Sequence, residues 1–352
     1  MNLKSLILIL LTIFVILPEV NLEEEIEGYA VIIEVNNFAG EVQDLNTDFA
    51  DSKRLQNLLK NLGFENFYVI EDSVTPEKLE AAFEFLEKAS KEDLVFFYIG
   101  THGGFKEENH LLLLSDGDKN WKLYDFEFTE LFSRIKSKKS VVMIASCNAG
   151  GFVYPDLSGM TAISLAAVDA PEYAWGGLPE EGLPIIGMVF TYYFVESYQN
   201  SNADLNGNGF VSVEEAFEFS TPLIREYMAD VVFKAFSDEY PPEDYFNLYN
   251  PHPLINDEYE GEFYLQEVLM REEAKALLQE GEELFNSRKY EDVKSHYERV
   301  ILIFSELQEF ERVKEIQERV LEIENLEREE SVGIGFNVLG CIFLIYIARK
   351  LT

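Results

Sequence analysis

The sequence predicts an α/β fold, with a mostly parallel sheet that is covered by helices on both faces. Short apolar runs alternate with longer segments in which apolar residues recur at helical spacing. Such runs are typical of strands that are buried on both sides. Thr75-Pro76 and Gly63 are typical of a helix start and a helix end. Because 47% of the 352 residues are apolar, the chain can bury a full core.

The first half of the predicted fold alternates between strands and helices. The predicted strands have the sequences YAVIIEV, FYVI, DLVFFYIG and SVVMIAS, and the predicted helices lie in residues 48–64, 75–90 and 125–137. Repeated strand–helix–strand units place parallel strands in one sheet, because the connecting helices pack on its faces.

The second half continues this pattern and then changes character. A strand is predicted in residues 160–170, followed by helices in 185–198 and 213–236. Residues 240–255 are rich in Pro and Asn and are predicted to form an irregular closing segment. From about 262 to 330 the chain is highly charged and helical, which predicts a separate helical arm.

The net charge of −37 argues against nucleic acid as a partner, because phosphate contacts need clustered Lys and Arg. It favours basic ligands, or it reflects a generally acidic surface. Only two cysteines occur, Cys147 and Cys341, so a disulfide framework is excluded. A redox thiol protein is disfavoured because Cys147 has no resolving cysteine beside it.

Both ends of the chain have apolar segments. Residues 1–22 are typical of a signal peptide or an uncleaved signal anchor. Residues 332–348 predict a transmembrane helix, with a buried core helix as the alternative. The basic residues Arg349 and Lys350 follow that segment. The sequence thus predicts a cell-membrane location with the body of the protein extracytoplasmic and the C-terminus cytoplasmic.

Two predicted strands end in stretches with unusual residues. The run VFFYIG is followed by Thr101-His102-Gly103-Gly104, and the run VVMIAS is followed by Cys147. Ligands of open α/β sheets bind at the carboxyl ends of the strands, so His102 and Cys147 are expected at one sheet edge. An imidazole can accept the proton of a nearby thiol or pair with the thiolate. The N–H groups of Gly103 and Cys147 could form an oxyanion hole.

YIGTHGG together with IASCNAGG resembles the caspase–haemoglobinase superfamily of cysteine peptidases, which includes caspases, metacaspases and legumain-type peptidases. The resemblance covers about residues 29–254 and predicts a caspase-like peptidase domain over 27–256. It implies that His102 is the general base, that Cys147 is the nucleophile, and that the Gly103 N–H belongs to the oxyanion hole.

DLNTDFADSKRL resembles the metacaspase segment that carries an acidic specificity residue, which implies that Asp51 binds substrate, with Asp48 nearby. A carboxylate there would select Arg or Lys before the scissile bond. Alternatively, the two acids cap the following helix. Metacaspase-like members often have an acid two residues before the nucleophile, and this chain has Ala145, which weakens the inference of strictly basic specificity.

AAVDAPEYAWGG resembles the substrate-binding loop of the same superfamily. The resemblance implies that Tyr173 and Trp175 stack along a bound peptide. The alternative is that both rings pack in the core.

DLNGNGFVSVEE, residues 204–215, matches the spacing of an EF-hand calcium loop. Oxygen ligands are expected at alternate positions, and the last residue is expected to bind through both carboxylate oxygens. The predicted Ca²⁺ ligands are Asp204, Asn206, Asn208, Phe210 through its carbonyl, Ser212 and Glu215. An Asn-Gly-rich turn is the alternative. No organic cofactor is expected.

The helical arm, 262–330, resembles one tetratricopeptide unit at Gly281, Leu284, Tyr290, Val293, Tyr297 and Val300. It is expected to act as a spacer or to dock a protein partner. The sequence as a whole predicts a membrane-anchored cysteine endopeptidase with a Cys–His dyad. Its polypeptide substrates are cleaved after basic residues, or after Asn or Asp, and the same site could carry out transpeptidation. The alternative function is an inactive, calcium-binding scaffold of the same fold.

Overall fold

We describe the protein from a computed structural model. The described residues are 26–45, 47–153, 157, 159–177, 183–236, 238 and 248–328. The chain forms two compact units, one spanning Ile26–Leu269 and the other beginning at Met270.

The first unit is built around a six-stranded sheet in which all strands but one are parallel. The strands of this sheet are β1 Gly28–Glu34, β2 Asn66–Glu71, β3 Leu94–Gly100, β7 Lys139–Ala145, β8 Ile163–Ala166 and β11 Leu254–Asp257. The strand order is β11-β8-β7-β3-β1-β2, and β11 is antiparallel to β8 at one edge. The central strand β3 is buried along its whole length, as expected for a strand covered on both faces.

Helices cover both faces of this sheet, in agreement with that part of the predicted fold class. The helices of the first unit are α1 Ala50–Asn61, α2 Pro76–Leu86, α3 Asp125–Phe132, α4 Gly150–Val153, α5 Val189–Ser197, α6 Val213–Tyr227 and α7 Phe233–Phe236. Alternate residues of β3 pack into two separate cores: Phe97 lies in the core with α2 and α3, and Phe96 lies in the core with α1, α5 and α6. This division follows from the two-residue period of a strand.

The predicted helix signals at Thr75 and Gly63 are both present. The Thr75 side chain accepts the N–H of Lys78 at 3.2 Å, and Pro76 begins α2. Gly63 follows the end of α1 with φ of +93°, a conformation that glycine adopts without steric cost.

Two smaller sheets were not predicted. An antiparallel three-stranded sheet contains β4 His102–Lys106, β5 Asn109–Ser115 and β6 Asn120–Tyr124. A short hairpin pairs β9 Gly176–Gly177 with β10 Gly187–Met188. The helix predicted over 185–198 therefore begins at Val189, after β10.

Two further predictions, a single helix over 213–236 and an irregular closing segment, differ from the structure. The helix predicted over 213–236 is divided into α6, a π-helical turn at Met228–Val232, and α7. The closing segment predicted as irregular contains β11, because residues 254–257 pair with the edge of the sheet at β8.

The described helices of the arm segment are α8 Glu267–Asn286, α9 Tyr290–Glu306, and α10 over 310–328. Gly281 lies against the ring of Tyr297, where an added Cβ would be 2.5 Å from the ring. Arg319 forms an ion pair with Glu282 at 2.8 Å. The tetratricopeptide resemblance, the arm boundaries and the docking role remain predictions.

The predicted fold class also included a transmembrane helix, and this part of it is wrong for the chain as described. Within the described residues, no helix is both long enough and apolar enough to cross a bilayer. The segments 1–22 and 332–348, on which the membrane predictions depended, lie outside those residues. The fold class is corrected by leaving the membrane helix out, and the predicted cell-membrane location, membrane partner and orientation are withdrawn with it.

Candidate active site

The register of the sheet brings the ends of β3 and β7 together. The two strands are parallel, with Gly100 opposite Ala145. The N–H of Thr101 donates to the carbonyl of Ala145 at 3.2 Å, so the pairing continues past the strands. His102 and Cys147 each lie two residues beyond the Gly100–Ala145 pair. Both residues therefore stand at the carboxyl end of the parallel sheet, as the sequence predicts.

Gly103 lies against the backbone of the segment that carries the cysteine. A Cβ atom added to Gly103 would be 1.9 Å from the carbonyl oxygen of Cys147 and 2.8 Å from Oγ of Ser146. No side chain fits at that distance, so glycine is required at this position. The close approach fixes the start of β4, and with it His102, beside the Cys147 backbone.

Cys147 as a residue is partly exposed, but its sulfur atom is mostly buried. Its S–H points to the carbonyl oxygen of Ala174, 3.8 Å from the sulfur. Burial raises the pKa of the Cys147 thiol above its ordinary value, and backbone hydrogen bonds at Ala174, Cys147 and Gly103 oppose that shift. The resting side chain is therefore a neutral thiol that needs a base to remove its proton.

The imidazole of His102 is held by the backbone of a preceding loop. Its Nε2 lies 2.8 Å from the carbonyl oxygen of Gln43, and its ring packs at a tilt against Phe38, with 4.8 Å between centroids. A carbonyl oxygen can only accept a hydrogen bond, so Nε2 must be the protonated nitrogen. In the neutral ring, Nδ1 is then the nitrogen that can accept a proton.

Asp51 and Asp48, the two predicted substrate-binding acids, differ completely in environment. Asp48 is exposed and forms an ion pair with Lys53 at 3.4 Å. Asp51 is fully buried in the first turn of α1. Its carboxylate accepts the N–H of Met188 at 2.8 Å and the hydroxyl of Tyr98 at 3.2 Å.

The alternative reading, that these acids cap α1, does not hold. The residue before the helix is Phe49, and no side chain caps it.

Arg54 lies 3.5 Å from Asp51 and also donates to the carbonyl of Ile186. Burial raises the pKa of Asp51 to about 6, and its hydrogen bonds and Arg54 oppose the shift. Asp51 is thus a buried acid that already has protein partners.

Tyr173 and Trp175, the two aromatic residues predicted to stack along a bound peptide, differ in their surroundings. Tyr173 is 47% exposed, so its ring is available to a ligand. Trp175 packs against Tyr249 and Phe236, with ring centroids 5.8 and 5.3 Å apart, and its Nε1 donates to the carbonyl of Leu248. Trp175 is therefore a partly buried ring that packs against the core, and the substrate-binding role of both residues remains a prediction.

The two carboxylates among the predicted calcium ligands accept N–H groups of the loop itself. The carboxylate of Asp204 accepts N–H groups of residues 207–209, and that of Glu215 accepts N–H groups of residues 205–206 and of Ser212. Ser212 also begins α6, where its Oγ accepts the N–H of Glu215 at 3.0 Å. Asp204 Oδ1 and Glu215 Oε1 each accept two of these N–H groups, whereas the other oxygen of each carboxylate accepts one and retains a further lone pair.

Within the described part of the chain, no three His, Cys, Asp or Glu side chains are grouped so as to hold a metal ion. Only two of the predicted Ca²⁺ ligands are carboxylates, Asp204 and Glu215, and the remaining ligands are amide, hydroxyl and carbonyl oxygens. Such neutral oxygens are suitable calcium ligands. The calcium site therefore remains a prediction.

Sequence reasoning missed two groups that hold the site. Gln43 contributes only its carbonyl, so its side-chain type gives no signal. Glu172 is buried, and its carboxylate accepts the N–H of His252 at 2.7 Å and contacts the His252 ring. Its own carbonyl accepts the N–H of Asn148 at 2.8 Å, which fastens the residue after Cys147. The available sequence signal for Glu172 was an acidic residue within an apolar stretch.

The mixed sheet and the thiol–imidazole edge define a cysteine-peptidase-like protein of the caspase–haemoglobinase type. A family model described as the caspase domain matches residues 27–249. The chain therefore belongs to the caspase domain family.

Comparison with solved structures gives a match to caspase-1 from Spodoptera frugiperda. The match has 14% sequence identity and a TM-score of 0.47, and it covers 70% of this chain and 92% of that chain. No match is found among curated proteins.

Proposed function

We propose that this protein is a cysteine endopeptidase in which Cys147 is the nucleophile and His102 is the general base. The observation that carries the proposal is the packing of Gly103 against the backbone of Cys147, at the sheet edge where both strands end. The hydrogen bond from His102 Nε2 to Gln43 supports it, because it leaves Nδ1 as the proton acceptor.

The proposed reaction proceeds through an acyl-enzyme. Nδ1 of His102 takes the thiol proton as Sγ of Cys147 attacks the peptide carbonyl carbon, and the N–H groups of Gly103 and Cys147 stabilise the oxyanion. The C–N bond then breaks, and His102 returns the proton to the leaving amine. Water hydrolyses the remaining thioester and regenerates the thiol.

The raised pKa of the Cys147 thiol favours proton transfer during attack over a preformed thiolate–imidazolium pair. An amine that replaces water in the last step gives a new peptide bond, so the same site supports transpeptidation. This outcome depends on whether the amine or water reaches the thioester first.

We further propose that the enzyme prefers Arg or Lys before the scissile bond, with Asn or Asp as the competing preference. Asp51 holds the N–H of Met188. The next residue, Val189, donates to the carbonyl of Trp175 at 3.0 Å. Ala174 in turn contacts the Cys147 sulfur. Asp51 is thus connected to the nucleophile through two short segments, 188–189 and 174–175. A substrate cation would have to displace Arg54 from Asp51.

The predicted Ca²⁺ site at residues 204–215 is part of the proposal. We propose a structural role for the ion at the start of α6, with modest affinity, because asparagines occupy two of the positions that carboxylates can fill. Its support is the full match to the loop spacing and the two carboxylates, Asp204 and Glu215, that N–H groups of the loop hold in place.

A library of peptides that vary at the residue before the cleaved bond tests the proposed activity. The full chain should cleave peptides with Arg or Lys at that residue, and Cys147→Ala should abolish cleavage. The matched control is Cys341→Ala, which should cleave like the unmodified chain. Mass analysis of products with an added amine nucleophile detects transpeptidation. Cleavage that persists in Cys147→Ala would refute the assignment, and cleavage after Asn or Asp alone would refute basic specificity.

A further inference from the structure

Glu34 is a buried acid that no step of the proposed reaction uses. It is the last residue of β1, a central strand, and it is only 2% exposed. Burial, followed by the nearby Asp51 carboxylate, raises the pKa of Glu34 from its ordinary 4.5 to about 8, while hydrogen bonds from Thr47 and Ser52 oppose the shift. A carboxyl group this deep needs a structural reason, because burying a charge is costly.

The hydrogen bonds around Thr47 require one more proton than its hydroxyl has. The Oγ1 of Thr47 contacts a carboxyl oxygen of Glu34 and also lies 2.6 Å from the amide oxygen of Asn36. A hydroxyl donates one hydrogen bond, yet an ionised carboxylate and an amide oxygen both only accept. A neutral Glu34 satisfies the chain, since its O–H donates to Thr47 while Thr47 donates to Asn36.

The side chains of Glu34, Thr47 and Asn36 meet at the base of the segment that holds the His102 imidazole. The carbonyl of Asn36 accepts the N–H of Leu45 at 2.9 Å, which joins the two ends of segment 36–45. Gln43, whose carbonyl binds His102, belongs to this segment. The other oxygen of Glu34 accepts the N–H of Ser52 at 2.7 Å, so Glu34 also holds the first turn of α1.

The titratable groups that face Glu34 favour a neutral acid. They are two further acids, Asp51 on α1 and Glu71 at the end of β2, and the neutral phenol of Tyr98 on β3. Arg54 lies beside Asp51 and stabilises that carboxylate, not Glu34. Two ionised acids side by side in this buried region would repel each other, so one of them is expected to hold a proton.

We propose that Glu34 carries a proton in the native protein and acts as a positioning residue for His102. It does so by holding segment 36–45 through Thr47 and Asn36, and thereby the Gln43 carbonyl at the imidazole. The positioning half of this inference rests on the proposed peptidase function.

Two substitutions separate the proposed role from a general structural one. Glu34→Gln keeps the shape and donates to Thr47 without a titratable group, whereas Glu34→Ala removes the link. We expect Glu34→Gln to retain kcat within about threefold, and Glu34→Ala to lower kcat about 10²-fold with KM little changed, because the base is misplaced. Glu65→Gln, at an exposed acid just before β2, is the matched control and should retain kcat.

The pH dependence of unfolding gives a readout that does not depend on activity. The native chain holds the Glu34 proton more tightly than the unfolded chain, so this contribution to stability is complete below about pH 4.5 and is lost as pH rises to about 8. Glu34→Gln should flatten that decline, and Glu65→Gln should not.

Equal loss of kcat in Glu34→Gln and Glu34→Ala would overturn the inference, because an ionised carboxylate would then be needed and Asn36 would donate to Thr47. An unchanged pH profile of unfolding in Glu34→Gln would overturn it as well. If even the unmodified chain cleaves no peptide, the proposed function fails, while the unfolding profile still decides whether Glu34 carries a proton.

Discussion

Gly103 lies closer to the Cys147 backbone than any side chain allows, and its neighbour Gly104 does not. A Cβ at Gly103 would be 1.9 Å from the Cys147 carbonyl oxygen, whereas one at Gly104 would be 3.7 Å from the Leu111 side chain, an ordinary contact. We expect Gly103→Ala to lower kcat/KM by about 10²-fold or more, because it displaces both the imidazole and an oxyanion donor.

The Gly104→Ala variant is the matched control for that measurement. It adds the same methyl group one residue further along β4, so its kcat/KM should remain close to that of the unmodified chain. Steady-state kinetics on one cleaved peptide compares the two variants. Comparable activity in both would contradict the role assigned to the close approach of Gly103.

Some site residues could be predicted from the sequence and others could not. His102 and Cys147 follow apolar strands, so the topology of a parallel sheet predicts their common edge. Gln43 acts through a backbone carbonyl, which any residue type supplies, so its role depends on the path of the loop. The full burial of Asp51 depends on β10, a two-residue strand too short to show periodicity.

At the level of elements, the calcium loop and the start of α6 form one unit. Glu215 closes the loop through N–H groups of residues 205–206 and also stabilises the first turn of α6 at Ser212. A bound Ca²⁺ would therefore connect the loop to the helix. Its oxygen ligands come from both parts of this unit.

Calorimetric titration with Ca²⁺ tests that proposal. Glu215→Gln should abolish binding, since it removes the bidentate carboxylate at the last loop position. The matched control is Glu218→Gln, an exposed residue one turn further along α6, which should bind like the unmodified chain. No heat of binding in the unmodified chain would leave an Asn-Gly-rich turn as the correct description of the loop.

The elements missed by the sequence reasoning are those that depend on pairing with distant residues. In the β4–β6 sheet, β4 contains two glycines and β6 contains a lysine, so only β5 has an apolar run like those of the main sheet. Strand β11 begins just after a Pro-rich stretch and is stabilised by pairing with β8. In both cases tertiary pairing outweighs local propensity.

For the whole molecule, the alternation of strands and helices was sufficient to predict the sheet and the helices on its two faces. An apolar strand buries both its sides when helices cover both faces of its sheet. The apolar pattern and the observed architecture therefore correspond closely. The net charge of −37 adds a long-range attraction for basic peptides that salt weakens.

The central claim is that Cys147 is activated by His102. A peptide with Arg beside a thiol-reactive electrophilic carbon tests it most directly when the labelled residue in the full chain is located by mass spectrometry. The chain contains one other cysteine, Cys341, which serves as an internal reference. We predict fast labelling of Cys147 that is largely lost in His102→Ala. Equal labelling of both cysteines, or an unchanged rate in His102→Ala, would contradict the account.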